Sequence, residues 1–253
     1  MIEIKDLSFG YGKNHILKNF SACFEKGKLT SVIGTNGSGK STLLKTIIGI
    51  LAPDSGDIFV DGTSLSSLKC QDIAKRISYL AQGKNTPDMT AFQMVLHGRF
   101  PHLNYPRRYS QKDRNIAYDA INRMGITDYA DKSMASLSGG MRQNVYIAMA
   151  LAQDTDYILL DEPTTYLDIS HQLHLMKTLK SLAADGKGII TVMHDLPMAF
   201  NFSDRVAVVS CGKAAVCDFP ENVCKKGIIK DIFGIDLNYS PQEKNYYYGY
   251  NHL

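Results

Sequence analysis

No stretch of this 253-residue chain approaches the run of about 18 to 20 apolar residues that a membrane-crossing helix requires. The opening residues, Met1-Ile2-Glu3-Ile4-Lys5-Asp6, alternate apolar and charged side chains as a strand does and lack the long apolar stretch of a secretory signal. Cysteine is sparse. The five residues Cys23, Cys70, Cys211, Cys217 and Cys224 include no CxxC pair, and an odd count without such a pair fits reduced thiols in a cytosol better than a disulfide framework. Cys211, Cys217 and Cys224 become a metal set only if the usual ligand spacing is stretched. Charge is slight as well: a net +3 from 28 basic and 25 acidic residues is too mild and too evenly spread to argue for a nucleic-acid partner. The length does allow a real core, in one large domain or in a domain with a lobe inserted into it.

Against that background one stretch stands out. Gly34-Thr35-Asn36-Gly37-Ser38-Gly39-Lys40-Ser41-Thr42 fits the phosphate-loop pattern GxxxxGK[ST] without a mismatch. A triphosphate is a dense cluster of negative charge, and glycines at 34, 37 and 39 let backbone N–H groups turn inward at close range. Leu29-Thr30-Ser31-Val32-Ile33 reads as a buried strand and residues 41–50 as a helix, so the helix presents its free N–H groups and positive dipole end to the phosphates. Lys40 then reaches the β- and γ-phosphates and the Ser41 hydroxyl ligates Mg²⁺. A plain glycine-rich turn before a helix is the bland alternative.

The rest of the chain reads as follows. Residues 2–9 form a strand, and Tyr11 sits between Gly10 and Gly12, either as a buried anchor or as a ring able to stack on a purine. Strands are expected near 19–24, 57–62 and 76–81, with a short helix at 70–75, and Gln82 closes the third of these strands. Residues 87–154 turn helical, as an inserted lobe. Within it, residues 99–109 form a Pro-rich basic and aromatic loop that reads as a solvated loop or a protein contact surface, more than as a single-strand nucleic-acid site. A helix is expected at 111–124, stopped by Gly125. Ser136-Leu137-Ser138-Gly139-Gly140-Met141 opens another that runs through Ala152, where Ser138 is either an ordinary N-cap or part of a second anion site.

Tyr157-Ile158-Leu159-Leu160 is an apolar strand that ends in Asp161-Glu162. Carboxylates at the end of a buried strand are costly unless something neutralises them. Mg²⁺ held by Asp161 supplies that compensation, and Glu162 facing the γ-phosphate could orient or deprotonate water. Asp168 reads locally as the N-cap of a helix over 169–184. Residues 188–193 form another buried strand ending at His194, at the same end of a parallel sheet as the acids. His171 and His174 share a helix face and read as solvated. Residues 205–210 and 213–218 form a hairpin across Cys211-Gly212, and the Tyr-rich end, 245–253, is either docked or frayed.

Taken together, and over essentially the whole chain, these motifs resemble the ATP-hydrolysing subunit of ABC transporters. They occur in that family's order: an adenine-stacking Tyr11, the phosphate loop, the Q-loop Gln82, the signature Leu137-Ser138-Gly139-Gly140, Asp161 and Glu162, the D-loop Asp168 and the switch His194. Gly98-Arg99-Phe100-Pro101-His102, the segment from Pro163 through Leu173 and His194-Asp195-Leu196 resemble the subgroup that powers uptake of iron-siderophores, haem and vitamin B12. One departure is Met141, where the family usually has Gln after LSGG.

The resemblance implies an α/β fold: a P-loop NTPase (RecA-like) core with a mostly parallel sheet, an N-terminal antiparallel β subdomain and an inserted α-helical subdomain. Residues 1–86 and 155–240 would make the core, 87–154 the helical lobe and 241–253 a C-terminal tail. It implies ATP and Mg²⁺ as ligands. Glu162, His194 and Gln82 would be catalytic, and Ser41, Gln82 and Asp161 would face the metal. Tyr11, Gly34, Asn36, Gly37, Ser38, Gly39, Lys40, Ser41, Thr42, Ser138, Gly139, Gly140 and Asp168 would face the nucleotide. It further implies a homodimer with each ATP between two copies, a membrane permease at the cytoplasmic face, an indirect link to a substrate-binding protein, and no nucleic acid. An exporter, an importer for another nutrient, and a non-transport ABC ATPase acting on nucleic acid or the ribosome are the alternatives. The last is disfavoured because the chain has neither a long coiled-coil insert nor a second ATPase unit.

Overall fold

The computed structural model describes residues 1–83, 86–165 and 167–249. It opens with a hairpin of β1 (Ile2–Tyr11) and β2 (Asn14–Phe24), followed by β3 (Leu29–Gly34) and α1 (Lys40–Ile47). β2 starts at Asn14, five residues before the expected 19, because the ladder continues to the Tyr11↔Asn14 pair beside Gly12. Exposed His15 and Lys18 mask the alternation there. α1 stops short of residue 50 because Gly49 turns left-handed, with φ 72°. β4 (Ser55–Val60) pairs with the other edge of β1, and β5 (Thr63–Ser64) folds back on β4 across Asp61-Gly62, both at positive φ as a tight hairpin turn demands.

Next come α2 (Cys70–Ala74), β6 (Ile77–Leu80), α3 (Ala91–His97), α4 (Gln111–Arg123) and α5 (Gly139–Ala152), then β7 (Tyr157–Asp161), α6 (Ile169–Ala184), β8 (Gly188–Val192) and α7 (Leu196–Phe202). The chain continues with β9 (Arg205–Ser210), β10 (Lys213–Asp218), α8 (Pro220–Lys225), α9 (Ile228–Phe233), β11 (Asp236–Ser240) and β12 (Asn245–Gly249). α8, α9 and the β11–β12 hairpin carry no periodicity long enough to be read in advance. Of the Tyr-rich end, residues 245–249 are a strand packed on α7, while 250–253 lie outside the described residues.

The main sheet has the order β10-β9-β3-β8-β7-β6, parallel at every junction except the β9–β10 hairpin. Its central strands β3, β8 and β7 are buried along their whole length and mostly apolar, because they are covered on both faces. Ile158 and Leu160 of β7, with Val206 and Val208 of β9, point into one core, which also takes the inner faces of α3 to α6. Leu159, Ala207 and Val209 point into the other, against α1 and the antiparallel sheet β2-β1-β4-β5. A mixed α/β fold follows, with the antiparallel sheet and the helical layer on opposite sides of the parallel one.

The residues 99–109 differ from a solvated loop at their start. Arg99 is only 5 % exposed; its Nε lies 3.0 Å from Asp113 Oδ1 and its Nη1 donates to the Ala152 carbonyl at 2.9 Å. Arg99 thus joins the loop to α4 and to the C-terminal end of α5. Burial alone would raise the Asp113 pKa, but hydrogen bonds from Ser110 and Arg99 outweigh it and hold the carboxyl at about 2. Because this folded-state value is depressed, the pair's stabilisation is present above the ordinary 3.8 and is lost as pH falls through about 2. Arg99→Ala leaves a buried carboxylate unpaired and should destabilise the fold by about 3–5 kcal/mol in denaturant titrations. Asp113→Asn should flatten the loss of stability over that acid window.

Candidate active site

The sheet order decides which loops meet. β3, β8, β7 and β6 are parallel neighbours, so the segments leaving their carboxyl ends sit side by side. These are the phosphate loop after β3, His194 after β8, Asp161-Glu162 at the end of β7, and Gln82 after β6. Carboxyl ends of parallel strands are where α/β sheets hold ligands.

The phosphate loop is drawn tight against the sheet. A Cβ at Gly34 would stand 2.3 Å from the Val209 carbonyl oxygen and 2.6 Å from Ser38 Oγ, so glycine is required there by close approach. Gly37 and Gly39 take φ 76° and 105°, which side chains rarely adopt. Lys40 is buried, and its Nζ donates to the carbonyls of Gly34 and Thr35 at 2.9 and 3.0 Å. Burial lowers its pKa, against the opposing pull of Glu162 and Asp161. Ser38 Oγ is buried with no hydrogen-bond partner among the described residues. An open cleft over the loop is lined by Asn36, Gly37, Gly39, Lys40, Ser41 and Thr42 together with Ile16 and Glu162.

Asp161 joins this loop directly. Its Oδ1 accepts from Ser41 Oγ at 3.1 Å and its Oδ2 from the Tyr79 hydroxyl at 3.2 Å. Burial raises the Asp161 pKa, with those two hydrogen bonds working against it. The Tyr79 hydroxyl is raised by burial and by the same carboxylate. Glu162 follows in a left-handed conformation, φ 52°, which swings its side chain out of the strand line. Its Oε1 lies 2.5 Å from His194 Nε2, and its Oε2 accepts from the Gln82 amide and from Thr165 Oγ1 at 3.3 Å. A carboxylate has about four lone-pair positions, so three partners leave one.

Ser138 N-caps α5 through Met141 N–H at 3.3 Å, and Asp168 N-caps α6 through His171 N–H at 2.9 Å. The ordinary capping role is therefore real at both positions. Gly139 shares a cleft of ≈ 350 Å³ with Gln82, Asp161, Glu162 and Arg142. Ser138 and Gly140 line neither this cleft nor the phosphate-loop cleft. Met141 packs its side chain on the helical core. His171 and His174 are both exposed, as a solvated face requires; in addition His171 Nδ1 is 2.8 Å from Asp168 Oδ1, and its ring lies so close to Gly140 that a Cβ there would be 2.9 Å from it. The hydrogen bonds from His171 and Ser170 hold Asp168 at about 2. Tyr11 is 51 % exposed, set edge-on against Phe9 and outside the phosphate-loop lining.

Comparison with known proteins decides what this arrangement belongs to. The ABC transporter family model matches residues 17–165, from β2 through the phosphate loop and signature to Thr165. The chain belongs to the ABC transporter family. It is 36 % identical to the petrobactin import ATP-binding protein FpuD of Bacillus anthracis over 94 % of this chain and 88 % of that protein. It is 38 % identical to the ferric enterobactin transport ATP-binding protein FepC of Escherichia coli, over 91 % and 86 %. Among solved structures, an inward-facing metal-chelate type ABC transporter superposes with a TM-score of 0.84 at 24 % identity, covering 98 % of this chain and 96 % of that one, a likeness of fold. A dimeric ATP-binding cassette bound to ADP and Pi matches with a TM-score of 0.74 at 28 % identity, covering 87 % and 99 %.

As an ABC ATPase the chain binds and hydrolyses ATP to drive transport, and its loop fits that ligand. Ser38 Oγ, without a partner among the described residues, and the N–H groups at the start of α1, which have no acceptor within the helix, are donors suited to an oxyanion. Sequence reading did not single out Thr165 or Tyr79, although both touch the acids. Thr165 entered only as part of the segment from Pro163 through Leu173, and neither residue carried a signal of its own, since a threonine two residues after Pro163 and a tyrosine in a core strand are common. The three C-terminal cysteines do not converge: Cys217 Sγ faces the Cys23 carbonyl at 3.9 Å and Cys224 Sγ the Leu237 carbonyl at 3.2 Å. Among the described residues no group of three or more His, Cys, Asp or Glu is placed to hold a metal ion. Burial pushes the Cys217 thiol up to about 11. Tyr166 of the subgroup segment lies outside the described residues.

Proposed function

We propose that this ABC ATPase energises an importer for iron-siderophore-type chelates, from the cytoplasmic face of the cell membrane, as a homodimer docked on a membrane permease. The observation that carries the hydrolytic reading is Glu162, fixed by His194, Gln82 and Thr165 beside the phosphate loop. The cargo class rests on the likeness to the petrobactin and enterobactin subunits.

Within one copy, Lys40 leaves the loop carbonyls to meet the β- and γ-phosphates. The backbone donors of residues 37–42 take the remaining oxygens, and Tyr11 offers its exposed ring to the adenine. Ser41, Asp161 and Gln82 would hold Mg²⁺, and two of them already stand within 3.1 Å of each other as hard oxygen donors. Bound there, the ion would neutralise charge developing on the phosphate oxygens. Glu162 uses its remaining lone pair to orient and deprotonate water. His194 faces the γ-phosphate. Ser138, Gly139, Gly140 and Asp168 close over the nucleotide of a second copy, consistent with the signature residues Ser138 and Gly140 lining neither cleft of their own chain. Residues 1–86 and 155–240 act as the nucleotide-binding core, with 87–154 as the lobe that moves relative to it and 241–253 as a tail. A substrate-binding protein delivers the chelate to the permease on the far side.

The docking face for the permease is the groove between α2 and residues 100–107, where Tyr105 is 97 % exposed and Arg107 lies over the Phe100 ring at 4.5 Å. Replacing Arg107 and Arg108 with Glu should abolish co-purification of the permease while ATP binding persists. Ferric-siderophore uptake should stop with it. Full co-purification and uptake in that variant would remove this face from the reading, and uptake of a chemically unrelated nutrient would remove the cargo class.

A further inference from the structure

The hydrolytic site makes no direct use of the C-terminal hairpin, yet the hairpin is tied to it. α7 begins two residues after His194, and β12 lies along it. Asn201 on α7 grips β12 with both ends of its amide: Oδ1 accepts from the Tyr246 N–H at 2.7 Å and Nδ2 donates to the Tyr246 carbonyl at 3.0 Å. The buried Tyr246 ring stands edge-on to Phe200, centroids 5.3 Å apart. Two residues on, the Tyr248 hydroxyl accepts from the Leu196 N–H at 3.4 Å. That N–H belongs to the first turn of α7 and has no acceptor within the helix. Asp195 completes the same turn by accepting from the Met198 N–H at 2.7 Å.

On its other side His194 follows Met193, whose N–H donates to the Val32 carbonyl of β3 at 3.1 Å. His194 therefore bridges a residue anchored in the sheet and a helix start anchored on β12. Its 2.5 Å contact with Glu162 tolerates little displacement, and a misplacement of about 1 Å at a reacting group can cost on the order of 10²-fold in rate. We propose that the β11–β12 hairpin is a positioning element for His194, acting on α7 through Asn201 and Tyr248, so that the C-terminal segment sets the rate of ATP hydrolysis. The proposal rests on the reading of His194 as part of the hydrolytic site.

The test is steady-state ATP hydrolysis by the full-length chain over a range of ATP concentrations, with thermal melting of each variant. Tyr248→Phe removes one hydroxyl and Asn201→Ala removes both amide bonds. Each should lower kcat, by about 2- to 10-fold per hydrogen bond lost, with KM for ATP little changed. Tyr247, on the outward face of the same strand, should tolerate Phe with no change in kcat. His194→Ala run alongside separates the two ideas. Full turnover in His194→Ala overturns the reading of the site. An inactive His194→Ala beside Tyr248→Phe and Asn201→Ala at full kcat overturns the positioning role alone, as does a rise in KM without loss of kcat. Should Asn201→Ala melt early, Tyr248→Phe decides, because it removes one oxygen atom and keeps the ring and the strand backbone.

Discussion

Glu162→Gln is expected to lower kcat for ATP hydrolysis by about 10²- to 10⁴-fold, the usual range for loss of a positioned base, while ATP still binds. Glutamine has nearly the shape of glutamate, so the left-handed backbone at 162 and the packing of the turn survive. What it loses is charge and half of its acceptor capacity. One terminal atom becomes an NH₂ group, which faces either the His194 nitrogen or the donors Gln82 and Thr165. The amide also cannot take a proton from water. ATP affinity measured by equilibrium titration should stay within about threefold of the parent, because removing a negative charge beside the γ-phosphate does not weaken its binding. Two copies should then accumulate as a closed, ATP-loaded dimer in size-exclusion chromatography. A variant that turns over at the parent rate would move the base elsewhere, although Glu162 is the one carboxylate among the described residues that line the phosphate-loop cleft.

Lys40→Ala should act at the earlier step. The ammonium is buried at the root of the loop and is held by two carbonyls that it can exchange for phosphate oxygens. Hydrogen bonds to charged groups contribute about 1.5–3 kcal/mol each, so losing even one predicts an ATP dissociation constant raised by roughly 10- to 100-fold. The depressed pKa of Lys40, caused by burial, is reversed once an anion arrives, so binding strengthens the charge on which it depends. Normal affinity in Lys40→Ala, measured by calorimetry on a chain whose melting is unchanged, would contradict the whole nucleotide assignment. The two variants differ in a way that one experiment can read: Lys40→Ala fails to bind, and Glu162→Gln binds but does not turn over.

Local signals were strong where one residue type answers one backbone need. Ser138 before α5 and Asp168 before α6 are N-caps at the expected positions, and both helices run over the expected residues, 139–152 and 169–184. Cys211-Gly212 turns the β9–β10 hairpin as its spacing implies. Reading failed where a side chain answers a distant partner. Arg99 looks like one more base in a basic loop, and only the fold shows Asp113 and the Ala152 carbonyl around it. His171 is exposed as its helix face implies, but its contact with Gly140, thirty-one positions earlier in the chain (171 − 140) and on another helix, is visible only in the fold.

The phosphate loop is a matter of local sequence: Gly34, Gly37, Gly39, Lys40 and Ser41 need only their spacing to make an anion cradle, because every donor comes from one short segment. The acids, the histidine and the glutamine are each legible as residues at a strand end. That they form one site is not, since Gln82 and Glu162 meet across 80 positions. Parallel neighbours in a sheet are joined by long crossovers, and nothing local to either strand says which will lie beside which. The order β3-β8-β7-β6 settles that, by pairing strands whose two faces fill two separate cores. The same packing, and no motif, lays β12 on α7 behind His194.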